Sequence, residues 1–231
     1  MQNITFQSLF STPTVKESRL NSQGMDPYGR IFEYLKATEA ISQYMIVSNP
    51  ANTDVDTVSS SADGDSDKVY ITEGSAGWTV GDYQDHWGIV DSGTGVGQIF
   101  KIKDNTADTL ELYKDYKLTT ALAVADSDIV IRHEPDAEKV AVTVEKTPLK
   151  GVAQVAFASA DYGWFLKRGI GGVLLGGAGT INVTIKPGDD TEGTGAIVAD
   201  GNDLFDISVI GRILVASDTA DKANLVDVNI I

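Results

Sequence analysis

The chain has no cysteine among its 231 residues. Disulfide scaffolds, thiolate metal sites and cysteine nucleophiles are therefore all excluded. That composition suits a protein made in a reducing cytoplasm that must also survive outside it. Histidine is almost as scarce, with only His86 and His133. Neither lies in an H-x-x-x-H pair of the kind that binds metal. A triad needs a nucleophile, a base and an orienting acid converging in space, and no G-x-S-x-G nucleophile elbow is present. His86, between Asp85 and Trp87, reads as a partly exposed residue at a strand start, and His133 as the exposed end of another strand. No stretch approaches the ~18 apolar residues of a membrane-spanning helix. The opening MQNITFQSLF lacks the basic and apolar regions of a secretory signal.

Positive charge is also short. There are 18 basic against 33 acidic residues, a formal charge of −15. Such a field repels nucleic acid, whose binding is driven by Lys and Arg displacing counterions from phosphates. It also keeps an exposed protein soluble. Acidic residues supply no convincing cation loop. Asp63, Asp65 and Asp67 begin like an EF-hand, but Lys68 and Gly74 stand where that loop needs Gly and Glu. GTGVGQ has glycines at alternate positions and no following Lys-Ser/Thr, so it reads as a hairpin turn rather than a phosphate loop. Paired carboxylates such as Asp189-Asp190 sit in turn-like sequence. A glycosidase pair would need an aromatic-lined cleft. No enzymatic activity, cofactor, metal, nucleic acid or membrane partner is expected.

With 42% apolar residues, the chain is globular and long enough to bury a core. Residues 1–27 are polar, with isolated anchors at Phe6, Leu9, Phe10 and Leu20. No period persists there, and the segment reads as an extended arm ordering against a partner or as a frayed terminus. Pro27-Tyr28-Gly29-Arg30 is a turn. After it, residues 30–36 read as a strand and 38–43 as a short helical turn. Residues 51–68 are the most polar stretch and read as an exposed linker.

From 69 to 134 short strands recur at regular spacing, the pattern of a small β barrel or sandwich. They fall at Lys68–Thr72, His86–Val90, Gln98–Lys103, Thr109–Tyr113 and Asp128–Arg132, with Ile99, Ile102, Leu110 and Leu112 expected in the core. Further strands are expected at Val140–Val144, Ile181–Ile185, Val209–Ala216 and Leu225–Ile230, with a turn at Asp200-Gly201. The fold class is all-β: a barrel- or sandwich-like base domain (28–50 and 135–231) carrying an inserted β module (69–134).

The central stretch is Gly151 to Leu175, GVAQVAFASADYGWFLKRGIGGVLL. Two apolar runs parted by Ser159-Ala160-Asp161 read as a hairpin. Gly163, between two aromatics, marks a bulge or a close approach of backbone.

Gly151, Val152 and Ala153, followed after a turn by Tyr162, Gly163 and Trp164 and then a glycine-spaced strand, resemble a signature of tailed-bacteriophage capsid decoration (cement) proteins. Three flanking stretches resemble the same family: Gly29 to Ala37 with Tyr44 to Val47, the closing Val209 to Leu214, and the last strand. The insert resembles a module of phage structural proteins, with GTGVGQIFKI followed by NTADTLELY. The resemblance implies a structural virion protein on the outer surface of the phage head. It would bridge capsomers of the major capsid protein and assemble as a homotrimer, with the GIGGVLLGG strand packed near the axis. The N-terminal arm would seat Phe6, Leu9, Phe10 and Leu20 in the partner. Two other readings stay open: a phage tail or baseplate component, and a carbohydrate-binding surface module stacking sugars on Trp78, Trp87 or Tyr113.

Overall fold

Short alternating runs of β-branched, aromatic and polar residues make strands the dominant regular structure of the chain. The computed structural model describes residues 2–60, 70–124, 126–140, 148–188, 191–198, 210–217, 219–220 and 222–230. In chain order the first strands are β1 (Gln2–Asn3), β2 (Gln23–Met25), β3 (Ile31–Ala37) and β4 (Ile46–Ser48). There follow β5 (Thr53–Val55), β6 (Ser59–Ser60), β7 (Tyr70–Thr72), β8 (Trp87–Ser92), β9 (Ile99–Asn105), β10 (Thr109–Leu112) and β11 (Asp128–Arg132). The last are β12 (Asp136–Lys139), β13 (Leu149–Ala153), β14 (Tyr162–Leu175), β15 (Thr184–Pro187), β16 (Gly195–Ile197), β17 (Gly211–Val215) and β18 (Lys222–Asn229). One helical turn, α1 (Phe6–Leu9), precedes β2. The all-β class expected from sequence is the class observed.

Two compact units result, Met1–Pro50 with Pro135–Ile231, and Ala51–Glu134. In the first, β14 is the shared member of two closed rings. One ring runs β3, β12, β4, β13, β14 and back to β3. The other runs β14, β18, β17, β15, β16 and back to β14. The change of partner falls at a register irregularity between Leu166 and Arg168, with β3 on the N-terminal side and β18 on the C-terminal side.

Each ring has its own apolar filling. Leu35, Ala37, Val47, Ala137, Ala153 and Phe165 come from all five strands of the first and form one buried cluster. Val173, Leu175, Ile185, Ile213, Val226 and Val228 are buried together in the second, with Ile197 of β16 packed against them. Because side chains alternate along a strand, Phe32, Tyr34 and Trp164 point to the opposite face of β3 and β14 from Leu35 and Phe165. Tyr34 and Trp164 are directly opposite in register, their ring centroids 5.0 Å apart.

The N-terminal segment covers that aromatic face, which corrects the expectation of an extended arm. Ile4, Leu9 and Leu20 are buried in the same cluster as Phe32, Tyr34 and Trp164. The Tyr162 N–H donates to Pro13 O (2.9 Å), and Tyr34 exchanges backbone bonds with Asn21 and Ser22. The Glu17 N–H donates to the Tyr34 hydroxyl oxygen at 3.1 Å. Burial, the first cause, raises the pKa of that hydroxyl. Apolar anchors that look isolated in sequence are thus claimed by the chain's own aromatic wall. Of the four expected arm residues, Leu9 and Leu20 are buried, Phe10 is exposed, and Phe6 begins the helical turn.

Other expectations change in detail. Residues 38–43 are not helical: Ile41 bridges Phe157, and the turn lies at 42–45, with Met45 N–H on Ser42 O. Tyr44 has φ 70, and within the Tyr44 to Val47 stretch the strand β4 begins only at Ile46. The strand expected at Ile181–Ile185 begins at Thr184 and runs to Pro187. The expected Val140–Val144 strand, apart from Val140, lies outside the described residues, as do Asp63, Asp65, Asp67, Asp189, Asp190 and the Asp200-Gly201 turn.

In the second unit the strand order is β5-β11-β8-β9-β10-β7-β6. Thr53–Val55 and Ser59–Ser60, read as linker, pair with β11 and β7. Val90, Phe100, Ile102, Leu110, Leu112, Ile129 and Ile131 are buried in its core, whereas Ile99 is 62% exposed on the opposite face. GTGVGQ forms the β8–β9 turn, closed by Gly97 N–H on Val90 O (2.8 Å). Gln98 pins a distant loop, its Oε1 accepting from the N–H groups of Thr119 (2.7 Å) and Thr120 (2.8 Å).

Leu9→Ala and Leu20→Ala should each destabilise the protein by ~2–5 kcal/mol, the range for emptying a core position. Denaturant unfolding would measure it; wild-type midpoints for both would mean the segment is not part of the core. A second expectation follows from the antiparallel pairing of Ser48 with Glu138 and Val47 with Lys139. Strands so paired are only ~5 Å apart, so a short Gly/Ser linker replacing Ala51–Glu134 should leave a base unit that unfolds cooperatively. Loss of the cooperative transition in this deletion variant would show that the two units share their stability.

Candidate interaction surface

The C-terminal half of β14 alternates between the interior of the second ring and its outer face. Val173 and Leu175 point in; Ile170, Gly172 and Leu174 point out. The outer face forms rows across three strands. Arg168 lies opposite Asn229. In the next row Ile170 lies opposite Asp227, which lies opposite Arg212. In the third, Gly172 lies opposite Leu225, which lies opposite Val215.

Large apolar side chains on this face meet solvent. Ile170 is 51%, Val215 56% and Leu225 42% exposed, and Phe10 at the edge of α1 is 48% exposed. With Leu9, Phe32, Tyr44 and Ala223 they line a groove of about 620 Å³. Its polar members are Arg30, Gln43, Gln154, Ser217 and Asn224. Arg30 is already engaged: its Nε donates to Asp26 Oδ2 at 2.8 Å, and its Nη1 donates to Ile170 O at 3.4 Å. Contiguous exposed apolar surface of this kind marks an interaction site more often than scattered single residues do.

The floor of the groove is built by a device not readable from spacing. β13 ends at Ala153 and β16 meets β14 only at Leu175, which leaves the edge of β14 between them unpaired. Gln154 fills the gap. Its Nε2 donates to Gly172 O and its Oε1 accepts from the Gly172 N–H, both at 3.1 Å. Two residues on, the Leu174 N–H donates to Tyr44 O at 2.8 Å. A Cβ at Gly172 would run into the Tyr44 ring. That ring therefore packs directly on the strand at Gly172.

The motif residues come together along this spine. Gly151, Val152 and Ala153 lie on β13, with Val152 opposite Leu166 and Ala153 opposite Phe165. Tyr162, Gly163 and Trp164 open β14, opposite Lys36, Leu35 and Tyr34. The connection is wider than a tight hairpin, because Phe157 leaves it to bridge Ile41. Asp161 caps its end, Oδ2 accepting from the Ala158 N–H at 2.8 Å. Gly163 is not a bulge: a Cβ there would collide with the Phe157 ring, which stacks on Phe165 at 4.5 Å. Glu33, in the same register, is buried and paired with Lys167 (2.6 Å) and Lys150 (3.5 Å).

Residues singled out in the second unit are engaged within it. Trp78 meets Tyr83 edge-on at 5.8 Å. Trp87 lies between the Lys101 ammonium (5.0 Å) and the edge of Tyr116 (4.9 Å). The Tyr113 hydroxyl donates to Asp85 Oδ1 at 2.8 Å. His86 is fully buried rather than partly exposed, because the chain turns inward at Asp85 (φ 66) and backbone bonds tie both residues to Ile102. Its ring lies 5.1 Å from that of His133, whose Nε2 is 2.8 Å from Thr53 Oγ1. The Asp128 carboxyl is held below its ordinary pKa, first by the Ser92 hydroxyl and then by the Thr57 N–H.

No protein-family model, curated protein or solved structure matches the chain.

Gly163→Ala should destabilise the first ring by ~1–3 kcal/mol, the usual cost of overpacking. Thermal unfolding checks the direction. An unchanged midpoint would mean that the Phe157 ring moves aside without loss.

Proposed function

We propose that this chain is a structural protein of a tailed-phage virion that binds the outside of the head and stabilises the mature shell by bridging capsomers. The observation that carries the reading is the exposed apolar groove on the outer face of the second ring. It lies on the same long strand as the motif that resembles decoration proteins. A rigid, strand-built surface displays its side chains with little ordering cost, which favours protein–protein contact.

Charge distribution supports an outward position. Ala51–Glu134 carries 6 basic against 16 acidic residues, net −10, while the remaining 147 residues carry 12 against 17, net −5. The strongly acidic insert suits a part directed away from both shell and genome, and the less acidic base suits the part that touches protein. Stabilisation follows from mass action: a protein that binds the mature lattice better than its alternatives shifts the equilibrium toward it. Many copies acting together strengthen the effect. Assembly as a homotrimer belongs to the same reading.

Immunogold labelling of particles from the genome that encodes the chain tests it, with light scattering on the purified protein for the trimer. Label on heads is the expected result. Label confined to tails would favour a tail or baseplate role, and unlabelled particles would overturn the reading.

A further inference from the structure

The outer face of β14, β18 and β17 carries charge of the opposite sign to the rest of the molecule. Arg168 and Arg212 are exposed there, and Asp227 is the acid among them. Neither cation is in an ion pair among the described residues; Arg212 is oriented by donating its Nε to Asn182 O at 3.2 Å. In a chain of net charge −15, two cations against one acid around Ile170, Leu225 and Val215 form a local inversion. Cations at the rim of an apolar centre are the usual anatomy of a protein docking site.

Resting on the reading above, we infer that this face docks an acidic, apolar-centred patch of the coat protein on the exterior of the head. A second copy of the chain fits worse. An isologous contact would bring two copies of the same net-positive face together, and like charge juxtaposed across an interface opposes association. An acidic partner meets the cations at the rim, while its apolar centre enters the groove between Phe10, Ile170 and Leu225.

The test uses full-length protein and heads produced from the same genome lacking this chain. Wild type, Ile170→Asp, Leu225→Asp and the double variant Arg168→Glu/Arg212→Glu are compared for occupancy at several salt concentrations. All four positions are exposed, and unfolding midpoints matching wild type check that each variant folds. The apolar variants should bind at least ~10-fold more weakly, as expected for losing one buried apolar side chain. The charge-reversal variant should lose most of its binding at low salt and show a flattened salt dependence. Wild-type decoration with equal occupancy by every variant would overturn the inference and leave the virion reading standing. Wild type that fails to bind heads at all would overturn both. Sedimentation showing a wild-type oligomer that Ile170→Asp dissolves would assign the face to a second copy and also overturn the inference.

Discussion

The base unit depends on one 14-residue strand that takes partners on both of its edges. Backbone N–H and C=O groups that leave water must find partners, and β14 is long enough to need several. β3 and β18 take turns on one edge, while β13, Gln154, Tyr44 and β16 share the other. Closing both rings through the same strand gives each ring strand a neighbour on both sides, which protects it from the edge pairing that makes sheets aggregate. It also couples the aromatic wall of one ring to the exposed groove of the other through a continuous backbone.

The covering segment follows from that geometry. A strand in a closed ring still has an outer face, and on β3 and β14 that face carries Phe32, Tyr34 and Trp164. Left bare, it would be a large apolar patch. Ile4, Leu9 and Leu20 cover it, and the bond from Glu17 to the Tyr34 hydroxyl fixes the crossing. On the second ring nothing in the described chain plays the same part, and Ile170, Val215 and Leu225 meet solvent.

Strand content and approximate limits are legible in the sequence because alternation is a local property. β11 lies where the sequence places it to the residue, and β3, β8, β9 and β10 to within one or two at most of their ends. What escapes a sequence reading are decisions made between distant parts of the chain. Leu9 and Leu20 have no periodic neighbours, so only the aromatic wall built more than ten residues later shows why they are apolar. Ile99 and Ile102 look alike in sequence, yet the register of β9 buries one and exposes the other. Gln98 and Gln154 each use a side-chain amide as a substitute backbone, and no propensity scale registers that. The candidate surface is half visible: GIGGVLL stands out as a special strand, but its partners Leu225 and Val215 are brought alongside it only by β17 and β18. The assignment of Phe6, Leu9, Phe10 and Leu20 to one binding arm fails at Leu9 and Leu20, where burial within the same chain is the stronger claim on the side chains.

The place of the insert also has a bearing on the order in which the molecule is built. Residues 51–134 interrupt the pair β4–β12, so β3 and β4 are synthesised well before β12, β13 and β14, the partners that close their ring. The insert draws all its strands from one contiguous segment and is complete when residue 134 emerges. Domains fold as units during synthesis, and contacts distant in sequence form slowly. The insert is thus the first body able to fold, and Phe32 and Tyr34 wait, uncovered on one side, for Trp164 to arrive. The acidic module is finished before the neighbouring apolar strands can pair, and its charge keeps the nascent chain dispersed during that interval.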